Sequence, residues 1–262
     1  MTIAQLLEEQ ARREDDRVML LYGSEQITYG EMHRRVGQVA GNLKALGVKP
    51  GDKIALLMEN CLEYIYCFLG FGRIGAVMVP INPALKPEEV AYIINDSEAE
   101  TLVIKSESLG NLEDIRAALP AIKRHIVVGA PVEGALHFDS LLATVDVPAA
   151  ITGEQDDAAL IYTSGTTGKP KGVILTHGNY IWDARAMSRS NRLTPEDRFL
   201  CVLPLFHVNA QVVSVLTPMM VRATIVLVGG AFNPFSLLHL IEQYRITIMS
   251  AVPTIYGLLT RL

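Results

Sequence analysis

The chain is short of positive charge. Its 23 lysines and arginines are outnumbered by 28 aspartates and glutamates, leaving a formal charge of −5 with no basic block. Nothing in it is built to neutralise a nucleic-acid backbone, so no such partner is expected. Cysteine is equally scarce. Cys61, Cys67 and Cys201 are odd in number and form no CxxC pair, which reads as buried reduced thiols in a cytoplasmic protein. The N-terminus lacks the apolar core of a signal peptide, carrying Glu8, Glu9, Arg12, Arg13, Glu14, Asp15 and Asp16 instead. Charge itself is missing from Phe199 to Val221, a run long enough to span a bilayer. Pro204, His207, Asn209, Gln211 and Pro218 would be costly in lipid, so a buried strand followed by a core helix is expected there, with no transmembrane segment. Internal repeats and low-complexity tracts are absent as well.

What is present is a globular composition, 50% hydrophobic and 19% charged, over 262 residues. That length buries the core of one large α/β domain or two small lobes. Ile3, Leu6, Leu7, Gln10 and Ala11 recur at helical spacing behind Thr2, a candidate cap. Strands are expected at Val18–Tyr22 and Gln26–Thr28, turned by Gly23-Ser24. Thr28 and Glu31 form a capping box, opening a helix that faces Met32, Val36, Val39, Ala40, Leu43 and Leu46 inward and stops at Gly47. Further strands are expected at Lys53–Met58, Ala76–Pro80, Thr101–Ile104, Ile126–Val128, Ala158–Tyr162, Phe199–Val202, Thr224–Val228 and Ile246–Ala251. Asn60 is placed to cap a helix through Ile74, and Pro87 to begin another. Such alternation argues for parallel-rich sheets flanked by helices, an α/β fold. Residues 129–157 read as a surface excursion, and the chain stops in what reads as the middle of a helix.

The most informative segment runs from Leu160 to His177. An apolar strand enters ten residues that are almost all Gly, Ser, Thr, Pro or Lys, and a second apolar strand follows. Small residues let backbone N–H groups converge on an anion, and the hydroxyls of Thr163, Ser164, Thr166 and Thr167 add donors. Lys169 and Lys171 add positive charge. This is the chemistry of a loop that holds a polyphosphate. A Walker A motif fails on spacing, because position 163 is threonine where glycine is needed and 170 is proline where Ser or Thr is needed. The loop therefore joins strand to strand, and a P-loop kinase is disfavoured.

The run Thr163-Ser164-Gly165-Thr166-Thr167-Gly168-Lys169-Pro170-Lys171-Gly172 resembles the phosphate-loop signature of the adenylate-forming superfamily, which contains acyl-CoA synthetases, aryl-CoA ligases, luciferases and peptide-synthetase adenylation domains. Ile27–Glu31, Gly47–Lys53 and Gly75–Pro83 resemble its early segments in the same order, and Leu203-Pro204-Leu205-Phe206-His207 its aromatic-histidine segment. The resemblance covers essentially the whole chain.

The resemblance implies a two-step reaction. A carboxylate attacks the α-phosphorus of ATP to give an acyl-adenylate and pyrophosphate, and coenzyme A then displaces AMP. By carry-over, Ser164, Gly165, Thr166, Thr167 and Gly168 wrap the β- and γ-phosphates, with Lys169 and Lys171 beside them. Thr163 gives a hydroxyl on the Mg²⁺ side, and His207 lies near the α-phosphate and the acyl channel. His177 is expected to be structural or capping. Amino-acid-activating members pair Phe with Asp where this chain has Phe206-His207, so a plain carboxylic acid is expected, a fatty acid first; Val208-Asn209-Ala210-Gln211 does not separate fatty from aryl or short polar acids. The family's later Tyr-Gly-x-Thr-Glu segment, its ribose-binding acid, its hinge and its C-terminal domain with a catalytic lysine are not found. Residues 1–262 are thus expected to be a partial N-terminal, AMP-binding domain of low activity alone, with an exposed apolar face. The competing reading is a nucleotide-binding module without turnover. Oligomeric state is not legible.

Overall fold

The computed structural model describes residues 1–108, 119–143, 150, 152–163, 169–230 and 234–261. Its strands in chain order are β1 (Val18–Tyr22), β2 (Glu25–Thr28), β3 (Lys53–Leu57), β4 (Val77–Ile81), β5 (Thr101–Lys105), β6 (Arg124–Val128), β7 (Leu136–His137), β8 (Asp157–Thr163), β9 (Lys171–Thr176), β10 (Arg198–Cys201), β11 (Thr224–Leu227) and β12 (Ile248–Met249). The chain divides into two compact units. The first comprises Met1–Gln5, Arg34–Met58 and Glu63–Asn179, and the second Leu6–His33, Glu59–Leu62 and Tyr180–Leu262.

The first unit is built on a seven-stranded sheet in the order β7-β6-β5-β3-β4-β8-β9. Every pairing is parallel except the last, where β8 and β9 form an antiparallel hairpin. Ile54, Ala55, Leu56 and Leu57 of β3 are all buried, as are all five residues of β4. A strand covered on both faces reads as a continuous apolar run rather than an alternation, which is why these strands are visible in the sequence. On one face Leu57, Val79, Leu102 and Ile104 pack with Val90, Ile93 and Ile94 of the helix Pro87–Asp96. That helix begins where proline is free of any N–H obligation, and the backbone N–H of Lys86 donates to Glu89 Oε2 at 3.0 Å.

The second unit carries a five-stranded sheet, β12-β10-β11-β1-β2, parallel except for the β1–β2 hairpin. The charge-free run from Phe199 resolves into the end of β10, a π-helix Ala210–Leu216 and an α-helical turn Thr217–Val221. No helix among the described residues is long and apolar enough to cross a membrane. The three cysteines are buried free thiols.

Local chemistry explains most boundaries. At the start of the helix Ile3–Arg13, the Thr2 hydroxyl accepts from Gln5 N at 3.3 Å and Gln5 Oε1 accepts from Thr2 N at 2.8 Å, a reciprocal cap. The Thr28 hydroxyl accepts from Glu31 N at 3.1 Å in the same way for the helix Tyr29–Ala45. That helix ends through Gly47 at φ +85°, with Gly47 N donating to Lys44 O and Val48 N to Leu43 O. Leu46 falls beyond the last helical residue, out of phase with the apolar face, and is exposed.

Three other features go beyond the sequence reading. Residues 129–157 are not only a surface excursion, because a short 3₁₀ turn at Phe138–Leu142 buries Phe138 and Leu141. β9, apolar in sequence, takes the edge of its sheet and leaves Val173 and Ile174 exposed. The last helix is Pro253–Leu259, with Thr260 at its C-cap and the Thr260 N–H donating to Tyr256 O at 3.1 Å.

His177 opens the helix His177–Ser190 but does not cap it. The cap is Thr176, whose hydroxyl accepts from Asn179 N while Asn179 Oδ1 accepts from Thr176 N. The His177 ring is fully buried beside Gly72, and neither ring nitrogen finds a hydrogen-bond partner among the described residues. Burial holds its pKa below the usual histidine value, a shift opposed by the Asp156 charge. The unfolded chain then binds a proton that the folded chain refuses. Stability should therefore fall as pH drops through the unperturbed histidine range, by at most about 1.4 kcal/mol per pH unit from this residue. Urea titrations between pH 7 and 5 should show that slope, and His177→Gln should flatten it.

Candidate active site

β8 runs parallel to β4, so its carboxyl end, Thr163, lies on the edge of the sheet where α/β folds bind ligands. The hairpin register places Thr163 directly opposite Lys171, and Tyr162 opposite Gly172. Thr163, Lys169 and Lys171 are all exposed, the first and last bracketing the mouth of the hairpin. Ser164, Gly165, Thr166, Thr167 and Gly168 lie outside the described residues. The ammonium of Lys171 has no ion-pair partner among the described residues. That of Lys169 stands over the ring of Tyr92, 5.7 Å from its centroid, within cation–π range. The two lysines therefore differ: Lys171 is uncommitted, and Lys169 is partly engaged.

The third glycine of the motif, Gly172, is explained by packing. A Cβ on Gly172 would lie 2.8 Å from Leu160 Cδ1 and 3.3 Å from Tyr162 Cζ. Leu160 and Tyr162 pack against the apolar cluster under the helix Pro87–Asp96, and they lean across position 172 to do so. Three side chains that the sequence did not single out meet there. Tyr162 Oη donates to Asp96 Oδ2 at 2.6 Å, and Tyr92 Oη donates to Asp96 Oδ1 at 3.3 Å. Burial raises the pKa of both phenols and the adjacent Asp96 carboxylate raises it further, so both remain protonated donors.

His207 belongs to the second unit. It is exposed rather than a core histidine, and its ring tilts against Phe206 with centroids 4.6 Å apart. The segment leading to it is braced at Leu205, whose N–H donates to Asn60 Oδ1 at 2.7 Å and whose carbonyl accepts from Gln211 Nε2 at 2.8 Å. Gln211 is fully buried in the π-helix and accepts from Tyr180 Oη at 2.6 Å. Asn60 Nδ2 also donates to the carbonyls of Leu203 and Val228, at 3.0 and 3.2 Å. Asn60 is thus a buried tie for the His207 segment, and not the helix cap its position suggests.

A cleft of about 560 Å³ in the first unit lies elsewhere, at the amino ends of β3, β4 and β8, lined among others by Lys53, Val77, Asp157 and Ile174. Asp157 and Thr163 are opposite ends of β8, roughly 20 Å apart at a strand's rise per residue. The cleft is therefore separate from Thr163 and the mouth of the hairpin.

Known proteins resemble the chain over most of its length. A family model described as an AMP-binding enzyme matches residues 7–262. A feruloyl-CoA synthase of Amycolatopsis sp is 34% identical over 246 residues, 94% of this chain and 48% of that protein. A crotonobetaine/carnitine–CoA ligase of Escherichia coli O9:H4 (strain HS) is 32% identical over 234 residues, 86% of this chain and 45% of that protein. Among solved structures, an anthranilate CoA ligase in complex with anthranoyl-AMP matches with a TM-score of 0.93 at 31% identity, over 98% of this chain and 51% of that one. The inhibitor-bound N-terminal domain of FACL13 from Mycobacterium tuberculosis matches with a TM-score of 0.89 at 31% identity, over 100% of this chain and 65% of that one. The chain spans about half the length of the curated relatives it matches. With a glycine-, hydroxyl- and lysine-rich motif between β8 and β9 at the carboxyl edge of a parallel sheet and a family match over residues 7–262, the chain belongs to the AMP-binding enzyme family.

Proposed function

We propose that residues 1–262 are the phosphate-holding part of an AMP-forming acid–thiol ligase. A carboxylate attacks the α-phosphorus of ATP, pyrophosphate leaves, and coenzyme A then displaces AMP from the acyl-adenylate. The observation that carries this reading is the β8–β9 hairpin, which opens a hydroxyl- and lysine-rich loop at the carboxyl edge of its sheet. A carboxylate is already a nucleophile at neutral pH, so the first step needs no triad or general base. It needs negative charge neutralised on the departing pyrophosphate.

The uncommitted ammonium of Lys171 is suited to that task at the β- and γ-phosphates, with Lys169 beside it and Ser164 to Gly168 contributing donors by residue type. Among the described residues no cluster of three or more His, Cys, Asp or Glu side chains could hold a metal by itself. Magnesium bound through substrate phosphates needs few protein ligands, and the exposed Thr163 hydroxyl fits that role. An ion held there would neutralise phosphate charge. His207, exposed next to Phe206, is assigned to the α-phosphate and acyl side.

The segment Leu203–Gln211 contains no acidic residue, so a substrate ammonium would find no counter-charge there. A plain carboxylic acid follows, with a fatty acid as the working class. The relatives' names make hydroxycinnamic, carnitine-like and aminobenzoic acids the other arms of the test. Because the chain spans about half of those relatives, we propose that it turns over weakly alone. The chain should be incubated with ATP, MgCl₂, coenzyme A and each acid in turn. Acid-dependent AMP and pyrophosphate support the reading and name the substrate class. ADP as the nucleotide product, or turnover confined to amino acids, overturns it.

A further inference from the structure

We propose that Asp96 is a positioning residue for the residues that flank the polyphosphate loop, bonding Tyr162 before it and, through the Tyr92 ring, holding Lys169 after it. The inference rests on the reading of that loop as phosphate-holding. Asp96 closes the helix Pro87–Asp96, where the negative end of the helix dipole disfavours a carboxylate. Its placement is offset by the two phenols it accepts from, at 2.6 and 3.3 Å.

Those phenols lead to opposite ends of the loop. Tyr162 is the residue before Thr163, at the last turn of chain before the loop begins. Tyr92 lies one helical turn before Asp96, and its ring carries the ammonium of Lys169, the first described residue after the loop. Gly172 completes the arrangement. A Cβ at position 172 would stand 3.3 Å from Tyr162 Cζ and 2.8 Å from Leu160 Cδ1, so glycine there leaves both side chains undisturbed. Two elements, the helix and the end of β8, thus meet at one carboxylate, and Lys169, two residues before β9, rests on one of its phenols. They set the separation of Thr163 from Lys169 and Lys171, the groups that must meet one polyphosphate together. Holding donors in place before the ligand arrives is what converts a set of weak contacts into affinity.

The test is titration of the full chain with ATP and with AMP, for wild type, Asp96→Ala, Tyr162→Phe and the double variant, with thermal melts as control. AMP lacks the β- and γ-phosphates, so a loop-positioning role acts on ATP alone. Each single variant should weaken ATP about fivefold to tenfold, leave AMP within about twofold, and the double should be no worse than Asp96→Ala, because both remove one interaction. Tyr92→Phe, which keeps the ring under Lys169, should cost less than Tyr92→Leu. ATP affinity unchanged in the variants overturns the inference, as does a loss of ATP and AMP affinity together with the melting temperature. A wild-type chain with no preference for ATP over AMP removes the phosphate-loop reading and this inference with it. A wild-type preference that all variants retain removes the inference alone.

Discussion

Lys171→Ala should weaken ATP binding about 10- to 100-fold while leaving AMP affinity nearly unchanged. The ammonium sits opposite Thr163 at the mouth of the β8–β9 hairpin, exposed and without an ion-pair partner among the described residues. It is free to make a charge-assisted bond to phosphate, worth about 1.5–3 kcal/mol. Because the site is exposed, salt should screen the interaction, and the gap between wild type and variant should narrow as ionic strength rises. Lys169→Ala should cost less, since that ammonium already rests on the Tyr92 ring. Calorimetric titration at low and high salt reads all of these outcomes. Equal losses for ATP and AMP would move Lys171 away from the terminal phosphates.

The largest stability effect is expected at Asn60. Its side chain satisfies the N–H of Leu205 and the carbonyls of Leu203 and Val228, and it is buried. Asn60→Ala leaves three backbone groups without their partner. At about 1–3 kcal/mol for each unsatisfied buried group, and with water able to reach some of them, a loss of about 3 kcal/mol is expected in urea denaturation. Asn60→Asp should be at least as harmful at neutral pH, because a carboxylate oxygen would then face two carbonyls. It should recover partly in acid, where the protonated side chain regains one donor. Aspartate that is tolerated at neutral pH would show that the tie is not as drawn.

Much of the fold was legible in the residues, and what escaped shares one cause. Ile54–Leu57 and Val77–Ile81 announce themselves as strands because both faces are covered. Helix starts at Thr2, Thr28 and Pro87 follow from capping chemistry that acts within three residues. Distance along the chain hides the rest. Asn60 reads as a local cap, whereas its partners are 143, 145 and 168 residues away. Asp96 and Tyr162 lie 66 residues apart, and nothing near either one signals the bond. The exposure of Val173 and Ile174 was not legible, because apolar composition does not reveal which strand takes the sheet's edge. The hydroxyl- and lysine-rich loop was visible because its residues are contiguous, and the contact of Lys169 with Tyr92 was not, because that ring comes from the distant helix Pro87–Asp96.

The central claim is that the Thr163–Lys171 hairpin mouth holds the terminal phosphates of ATP. The most direct measurement is photo-crosslinking of the full chain with an ATP analogue carrying its reactive group on the γ-phosphate, followed by peptide mapping. Label between Leu160 and Thr176, competed by ATP and not by AMP, is the predicted result. Label confined to other peptides, or label at the hairpin that AMP removes as well as ATP, would contradict it.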